Sequence, residues 1–353
     1  MRHVVVLSLV MVAASCSAHE SGFGPDGSPP SDAGSGGSDG PTNDDSGNID
    51  HFGDASSDAV SGDGGTVTTV YAHTDTTLYT LDPQSNAVTL IGDFVGTSDA
   101  STDNTITDLA VNSAGDVYVN SESVIYKASP PAQPPGPVQL TKIASIALQS
   151  GQRFYALAFA PAGVLGTGET LVGGDGNGEL YSIDTTNGTT RNLGSFGVDP
   201  SHSGYDFALS GDLVFYMDAN DKPTGLATVR PCQPKSSNCM TSDDYLVAVD
   251  MTALATAYQT STPASTLLKG IYGGSGSSDG PGTGYGDLFG LGAWEGKVFA
   301  FARKTSSNAT PLLLTIDTTT GAGSVLSSSF NFTNGWSGAG VTTSVTITVP
   351  PPN

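Results

Sequence analysis

Basic residues are scarce in this chain. Its 353 residues include 12 Lys and Arg against 34 Asp and Glu, a net charge of -22 at pH 7. Residues 67–353 hold 24 of these acids and 11 of these bases, so that this part alone carries a net charge of -13. Nucleic acid and anionic lipid are both bound by stripes of Lys and Arg that neutralise phosphates. The charge balance therefore excludes both as partners and favours solubility.

Long hydrophobic runs and the sequence signatures of catalysis are also missing. The apolar run Val4–Val12 is interrupted by Ser8 and is about half the roughly 20 residues that a membrane-spanning helix needs. Neither an HExxH motif nor a Gly-rich phosphate loop occurs. We therefore expect no transmembrane helix, and we expect binding rather than catalysis.

The N-terminus has the order of a secretory signal. Arg2 and His3 precede the apolar run, and Ala13-Ala14-Ser15 supplies small residues directly before Cys16. This segment resembles the lipobox of bacterial lipoproteins, in which the new N-terminal cysteine is diacylated. The resemblance implies a signal peptide at 1–15, lipidation of Cys16 and an extracytoplasmic protein held on a membrane by lipid alone. Ser17 resembles the pattern sent on to the outer membrane. The alternative is an ordinary cleaved signal peptide beside a chance cysteine.

The segment after the signal is poor in large side chains. Residues 16–66 are dominated by Gly, Ser, Asp and Pro, and they contain ten acidic residues and no Lys or Arg. Such a composition cannot bury enough apolar surface to offset the entropy of ordering. We predict a disordered tether that holds a domain away from a membrane.

Residues 67–353 contain an internal repeat. The segment LYTLD at 78–82 recurs as LYSID at 180–184, LVAVD at 246–250 and LLTID at 313–317, with a degenerate copy, IYKAS, at 125–129. A strand–turn–strand pattern precedes each later copy, so that each unit has four strands, which is typical of propeller blades. The first unit lacks its leading strand, and the last strand of the chain has no blade of its own. The repeat predicts an all-β fold, a β-propeller of five blades whose ring is closed by the N- and C-terminal strands. Six blades are the alternative, if 185–245 or 251–312 contains a further unit.

The LYxIDxxTG pattern is similar to the repeats of secreted bacterial β-propellers, a group that includes quinone-dependent dehydrogenase-like, NHL-like and YVTN-like proteins. The resemblance implies the architecture and leaves the activity open, because this fold carries many functions. The quinoprotein motif continues to a Gly-Lys and a Trp. Here TTNG at 185–188 and TTTG at 318–321 are followed by other residues, so we expect no quinone.

Candidate binding residues lie where loops lead into the innermost strands, at one mouth of the central channel. These loops are 96–107, 146–154, 199–205, 271–286 and 328–335, and the residues at or before the strands are Asp108, Arg153, Tyr155, His202, Tyr205, Asp206, Tyr285, Asp287 and Trp336. Rings and carboxylates in this arrangement suit a sugar, a peptide or a divalent cation such as Ca²⁺ held by Asp108, Asp206 and Asp287. The alternative is that the Asp side chains cap strand ends and join neighbouring blades.

Three cysteines leave one pair once Cys16 is lipidated, and we expect Cys232 and Cys239 to form a disulfide. The pair lies in 219–244, which departs from the repeat and contains Lys222, Arg230 and Lys235. This segment reads as an insertion between the second and third strands of blade four. It is either a stapled loop or a rigid basic protrusion suited to a protein partner.

The sequence thus predicts a monomeric, membrane-anchored binding or scaffolding propeller whose partner is a cell-envelope protein or glycan. A metal-dependent hydrolase of the lactonase type is the alternative. Lactonase-type propellers hold a metal in the channel with Glu, Asn and Asp, whereas Glu179 and Glu295 fall at hairpin turns here. The turn GGDGNGE at 173–179 could bind calcium through Asp175, Asn177 and Glu179, but a tight turn needs the same residues.

Overall fold

The computed structural model describes residues 69–97, 105–146, 153–274, 282–303, 310–330, 332, 335–344 and 349–352. The signal peptide, Cys16 and the tether lie outside these residues and stay predictions. Within the described ranges, no helix has the length and apolar character to cross a membrane.

The described residues form twenty strands and one helix. In chain order they are β1 (Val70–His73), β2 (Thr77–Asp82), β3 (Ala87–Val95), β4 (Asp108–Val111), β5 (Val117–Asn120), β6 (Val124–Ser129), β7 (Val138–Ser145), β8 (Phe154–Ala160), β9 (Thr170–Asp175), β10 (Glu179–Ile183), β11 (Thr190–Ser195), β12 (Asp206–Met217), β13 (Pro223–Cys232), β14 (Tyr245–Val249), α1 (Met251–Thr260), β15 (Leu268–Ile271), β16 (Leu288–Trp294), β17 (Lys297–Ala302), β18 (Leu312–Ile316), β19 (Gly323–Ser327) and β20 (Gly338–Val341).

The strands form five antiparallel blades of four. Blade one has the order β20-β1-β2-β3, and blades two to five are β4–β7, β8–β11, β12–β15 and β16–β19. The innermost strands β20, β4, β8, β12 and β16 each pack against the next and close a ring. The predicted five-bladed propeller is therefore confirmed. The outer strands of blades one and two are also joined in parallel, through Phe94 beside Val138 and Val95 beside Gln139.

The N- and C-terminal strands share blade one, as the missing leading strand predicted. β20 pairs antiparallel with β1, from Val70 opposite Val341 to His73 opposite Gly338. Every residue of β20 is buried. The last strand of the chain thus becomes the innermost strand of the first blade and closes the ring.

The repeated motif forms the third strand of every blade, namely β2, β6, β10, β14 and β18. In three blades the motif aspartate then builds the turn into the outer strand. Asp184 accepts hydrogen bonds from the backbone N–H of Thr186 (2.8 Å) and from the amide of Asn187 (2.9 Å). A hydrogen bond from the hydroxyl of Thr186, together with these bonds, lowers the pKa of Asp184. Gly188 follows with φ of 74°, a conformation that a side chain would strain. Asp82 and Asp317 accept backbone N–H bonds in the same position.

Blade four uses the same aspartate differently. Asp250 is the N-cap of α1, where its Oδ1 accepts from the backbone N–H of Thr252 and of Ala253, both at 3.0 Å. Residues 251–312, in which the six-blade alternative placed a further unit, instead contain α1, β15 and the first two strands of blade five. The repeat did not predict α1, in which Leu254 and Ala257 are buried one turn apart.

The segment 219–244 is not an insertion, and this correction follows from β12. The run YDFALSGDLVFYMD reads as two strands around a Ser-Gly-Asp turn, yet Asp206–Met217 is one continuous strand with a register shift between Leu209 and Leu213. The second strand of blade four is therefore β13, inside the supposed insertion. Only 233–244 connects the second and third strands.

Candidate functional site

The predicted loops do lead into the five innermost strands, and we call this end of the ring the mouth. Asp108 is the first residue of β4, but it does not face an open channel, because it is fully buried. Its Oδ2 accepts a hydrogen bond from the backbone N–H of Leu157 on β8 at 2.5 Å. Asp108 thus joins blades two and three, as the alternative reading of the Asp residues expected.

Asp212 approaches Asp108 from the opposite side of the ring. It lies on β12 at the register shift and is also fully buried. Its Oδ1 accepts from the backbone N–H of Leu213 (2.6 Å) and its Oδ2 from that of Leu291 on β16 (2.8 Å), and the backbone of Ala339 on β20 donates a further bond. The carboxyl groups of Asp108 and Asp212 interact, and the charge of Asp212 acts on Asp108. We call the two the channel carboxyl pair, and between them they touch all five inner strands.

The channel carboxyl pair retains a proton at neutral pH. Burial, followed by the charge of Asp212, raises the pKa of Asp108 well above its ordinary value, and burial also raises the pKa of Asp212. Two carboxylates that interact away from water strongly disfavour double ionisation, because like charges repel and neither is solvated. Asp212 receives more backbone N–H bonds, which favour its charged form, so we place the proton on Asp108.

His73 completes this buried cluster from blade one. Its Nδ1 is 2.7 Å from the carbonyl of Thr74 and donates to it, which leaves Nε2 as a bare acceptor 3.9 Å from Oδ1 of Asp108. Burial lowers the pKa of His73 to about 4, so the ring is neutral. A Cβ on Gly338 would lie 2.1 Å from Asp108 Oδ1 and 2.4 Å from His73 Nε2, so only glycine fits there. The centre of the ring is filled by these groups.

The charged candidates pair across the junctions between blades. Arg153 Nη1 is 2.6 Å from Glu122 Oε1, joining blades two and three at the surface. Asp287, in a left-handed conformation with φ of 56°, receives Arg230 Nη2 at 3.0 Å. The Nε of Arg230 contacts Asp244 Oδ1 at 2.7 Å, and Asp244 Oδ2 accepts from the backbone of Leu288. These pairs hold neighbouring blades together at the mouth.

The loop 199–205 is organised by a residue outside the candidate set. The buried carboxylate of Asp199 lies 2.6 Å from Nδ1 of His202 and also accepts from the backbone N–H of Ser201. Tyr205 contributes backbone bonds to the same turn, to Asp199 and His202. His202 is thus the partly exposed partner of a buried aspartate at the surface of the mouth.

The aromatic candidates take three different environments. Tyr155 is 44% exposed. Tyr285 is partly buried and packs beside Gly323 at the start of β19. Trp336 is fully buried among Tyr79, Phe301, Phe330 and Phe332. The prediction of Trp336 as a binding residue does not fit this placement, because the side chain has no surface for a ligand.

The structure does not bring Asp108, Asp206 and Asp287 together as cation ligands. Asp108 belongs to the channel carboxyl pair, Asp287 pairs with Arg230, and Asp206 lines a small groove of about 110 Å³ beside Cys232. No group of three His, Cys, Asp or Glu suited to a metal occurs in the described part of the chain. In the turn 173–179, Asp175 Oδ1 accepts from the backbone N–H of Asn177 and Glu179, both at 3.0 Å, as a tight turn requires.

The predicted disulfide between Cys232 and Cys239 is present. The alternative of a rigid basic protrusion does not fit the structure. Lys222 and Lys235 lie beyond opposite ends of the ten-residue strand β13, and Arg230 is largely buried in its ion pairs. What remains beside the disulfide is a compact loop at the mouth, next to the groove that Asp206 lines.

Three residues with exposed apolar side chains lie next to residues that line that groove or to their neighbours in the chain. Tyr155 lies against Gly176, which lines it. The backbone of Val198 pairs with Asp206, and the N–H of Met240 donates to Pro231, the residue before Cys232. Val198 and Met240 are 62% and 47% exposed. We call Tyr155, Val198, Met240 and the loop 233–239 the mouth patch.

Sequence reasoning missed Asp212, Asp244, Asp199 and Asp75. The sequence pattern places Asp212 in a hairpin turn, where aspartate is common and does not indicate a functional role. Asp244 directly precedes the repeated motif of blade four, so a comparison of the positions before each motif copy could have found it. Asp75 accepts both ends of the Arg303 guanidinium at 2.9 Å, and nothing in its local sequence signals this contact.

No protein-family profile and no curated protein matches the chain. Among solved structures, it is similar to a Bacteroides caccae protein of unknown function, with 8% identity, a TM-score of 0.33, and coverage of 78% of this chain and 99% of that one. The Dos1 propeller shows 12% identity, a TM-score of 0.34 and coverage of 70% of this chain. A protein of unknown function from Bacteroides thetaiotaomicron VPI-5482 shows 14% identity, a TM-score of 0.35 and coverage of 77% of this chain. This chain spans 53% and 58% of the latter two.

Proposed function

We propose that this protein is an extracytoplasmic lipoprotein whose propeller binds a cell-envelope partner at its mouth. The observation that carries the proposal is the structural role of the channel carboxyl pair. Asp108 and Asp212 interact with each other and accept hydrogen bonds from the backbone of inner strands, so the groups most suited to chemistry act in the framework. The outer surface of the mouth is then the part of this end that can meet another molecule.

The mouth patch supports this proposal. Exposed apolar side chains beside a loop held by a disulfide give a preformed surface, which lowers the entropy cost of association. Tyr and Met are also enriched where proteins meet. The lipid anchor rests on the sequence around Cys16 and would keep this surface beside the cell envelope.

The anchor is tested with Cys16→Ala in the producing bacterium. We expect the wild type to fractionate with membranes and to incorporate labelled palmitate, and the variant to do neither. Ser15→Gly is the matched control, since it keeps a small residue before the cysteine and should leave both properties unchanged. A Cys16→Ala protein that still fractionates with membranes would overturn the anchor.

Binding at the mouth is tested with a photoreactive amino acid placed at Met240 in living cells. We expect one discrete adduct that disappears when Val198→Asp is added in the same chain. The matched control is the same probe at Leu90, which is 42% exposed on the outer strand β3. Equal adduct yields from the two probe positions, or an adduct that persists when Val198→Asp is present, would contradict the proposal.

A further inference from the structure

A groove of about 480 Å³ lies at the end of blade three opposite the mouth, beside α1. β10 runs from Glu179 at the mouth to Ile183, and the groove begins at Ser182. Its lining is mainly hydroxyl and amide side chains, among them Thr170, Ser182, Thr185, Asn187 and Thr189, and one guanidinium, that of Arg191. We call it the Arg191 groove.

Arg191 is held in place from two sides. Its guanidinium carbon lies 4.3 Å from the centre of the Tyr258 ring. Its Nη1 donates to the hydroxyl of Ser261 at 2.9 Å, and Ser261 is the C-cap of α1. Contact with an aromatic face and the negative end of a helix both stabilise a cation. The plane of the guanidinium is therefore set before any ligand arrives.

Arg191 has no carboxylate partner among the described residues, although the protein is strongly acidic. Arg153, Arg230 and Arg303, the other arginines of that part, each pair with at least one carboxylate. The Nε of Arg191 is buried without an acceptor. A buried donor without an acceptor is costly, and native structures rarely leave one.

The two carboxylates that line the groove are used elsewhere. Glu169 accepts from the backbone N–H of Ser113 at 2.9 Å and from the hydroxyls of Ser113 and Thr343, which ties blade three to blade two and to the C-terminal strand. Asp184 builds its own turn. Neither is within ion-pair distance of Arg191, so its guanidinium has no anionic partner in the described part of the chain.

We propose that the Arg191 groove binds an acidic saccharide. A sugar carboxylate would meet Arg191, and the sugar hydroxyls would exchange hydrogen bonds with the Ser, Thr and Asn side chains of the lining. The volume lies within the range of small-molecule sites. This site is separate from the mouth patch and goes beyond the proposed function.

The experiment is titration calorimetry of the purified full-length chain with trigalacturonic acid. We expect saturable binding that weakens as salt is added, at least tenfold weaker binding of neutral galactotriose, and no saturation by acetate at the same concentrations. Arg191→Gln should weaken trigalacturonate binding at least tenfold. Arg191→Lys should also weaken it, because lysine keeps the charge and loses the planar fork.

Two controls separate loss of the site from other effects. Arg153→Gln removes an arginine at the mouth and should bind as the wild type does, and Val198→Asp should also leave binding unchanged, so that the mouth and the groove can fail independently. Tyr258→Phe keeps the ring under Arg191 and should retain binding. Thermal melting checks that each variant is folded. A folded wild type that does not bind trigalacturonate, equal binding of galactotriose, or unchanged binding in Arg191→Gln would overturn the proposal.

Discussion

The carboxyl groups of Asp108 and Asp212 interact at the centre of the ring, and neither residue is exposed to solvent. Because burial raises both pKa values, the folded protein holds a proton that the unfolded chain releases above an ordinary carboxyl pKa of 3.8. This contribution to stability is complete below that value and is lost as the pH rises through the raised pKa of Asp108.

We therefore predict that Asp108→Asn flattens the dependence of stability on pH. The Asn carbonyl can still accept from Leu157 and its amide can donate to Asp212, without a proton to lose. Relative to the variant, the free energy of unfolding of the wild type should fall by about 1.4 kcal/mol per pH unit across this window. Urea unfolding at several pH values measures it. Asp206→Asn, on the same strand as Asp212, is the control, and parallel wild-type and Asp108→Asn curves would refute the assignment.

The same substitution on the other member of the pair should be far less tolerated. Both oxygens of Asp212 accept backbone N–H bonds, from Leu213 and from Leu291. An Asn amide group would turn an N–H donor towards one of these donors whichever way it is oriented. We expect Asp212→Asn to lower the free energy of unfolding at pH 7 by about 1–3 kcal/mol relative to Asp108→Asn. Equal stabilities of the two variants would contradict this asymmetry.

The junction that closes the ring depends on Arg303. Its Nη1 and Nη2 each donate to one oxygen of Asp75 at 2.9 Å, and Nη1 also reaches Ser337 Oγ at 3.1 Å, so that blade five holds both strands of the closure. Arg303→Lys keeps the charge and removes the fork. We expect a loss of about 1–3 kcal/mol in urea unfolding. Arg153→Lys, in a more exposed pair, should cost less than about 1 kcal/mol, and a similar cost for both would count against the closure role.

The disulfide should stabilise the domain modestly. Cys232 and Cys239 are seven residues apart, and closing so short a loop contributes up to about 2.5 kcal/mol through the unfolded state. We expect the Cys232→Ser, Cys239→Ser double variant to unfold at lower urea concentration than the oxidised wild type. Reduced wild type should match the variant. An oxidised wild type no more stable than the variant would remove this role.

The cap of α1 provides a local test of the repeat. Asp250→Ala removes the acceptor for the N–H groups of Thr252 and Ala253 and should cost about 1 kcal/mol in thermal or urea unfolding. Asp250→Asn should retain most of the stability, because Asn caps helices nearly as well. If the Ala and Asn variants lose equal stability, the cap is not the reason for this aspartate.

The sequence repeat predicted the fold because its physical basis is local. The alternating apolar residues of LYSID and its copies fit the third strand of a blade, and the aspartate with its following Gly builds the next turn. Blade four shows where this logic ends. A Ser-Gly-Asp triplet looks like a hairpin turn, but in β12 it is a register shift that carries Asp212 into the channel. Whether such a triplet forms a hairpin turn depends on the residues that contact it from other blades. The sequence of one strand does not identify those residues.

The sequence predicted where the candidate residues lie better than it predicted what they contact. The loops that lead into the inner strands were located correctly, since they follow from the repeat. The partners of the residues in these loops were not predicted. Asp108 contacts Leu157 and Asp212, which belong to other blades, and the side chain of Trp336 is buried in the core between blades five and one. The helix α1 could have been found from the Asp250 cap and the Ala- and Leu-containing segment behind it. The pairing of Asp75 with Arg303 depends on ring closure and has no local signal.

Ring closure by β20 also determines how the domain would bear a mechanical load. The chain enters the fold at β1, and β1 is hydrogen-bonded on both sides, to β20 and to β2. A pull on the residues before Val70 would act along the strand and load two ladders in shear at once, rather than peel an edge strand one bond at a time. A domain held by its N-terminal segment against flow or cell-wall movement would thus be pulled at one of its most resistant points.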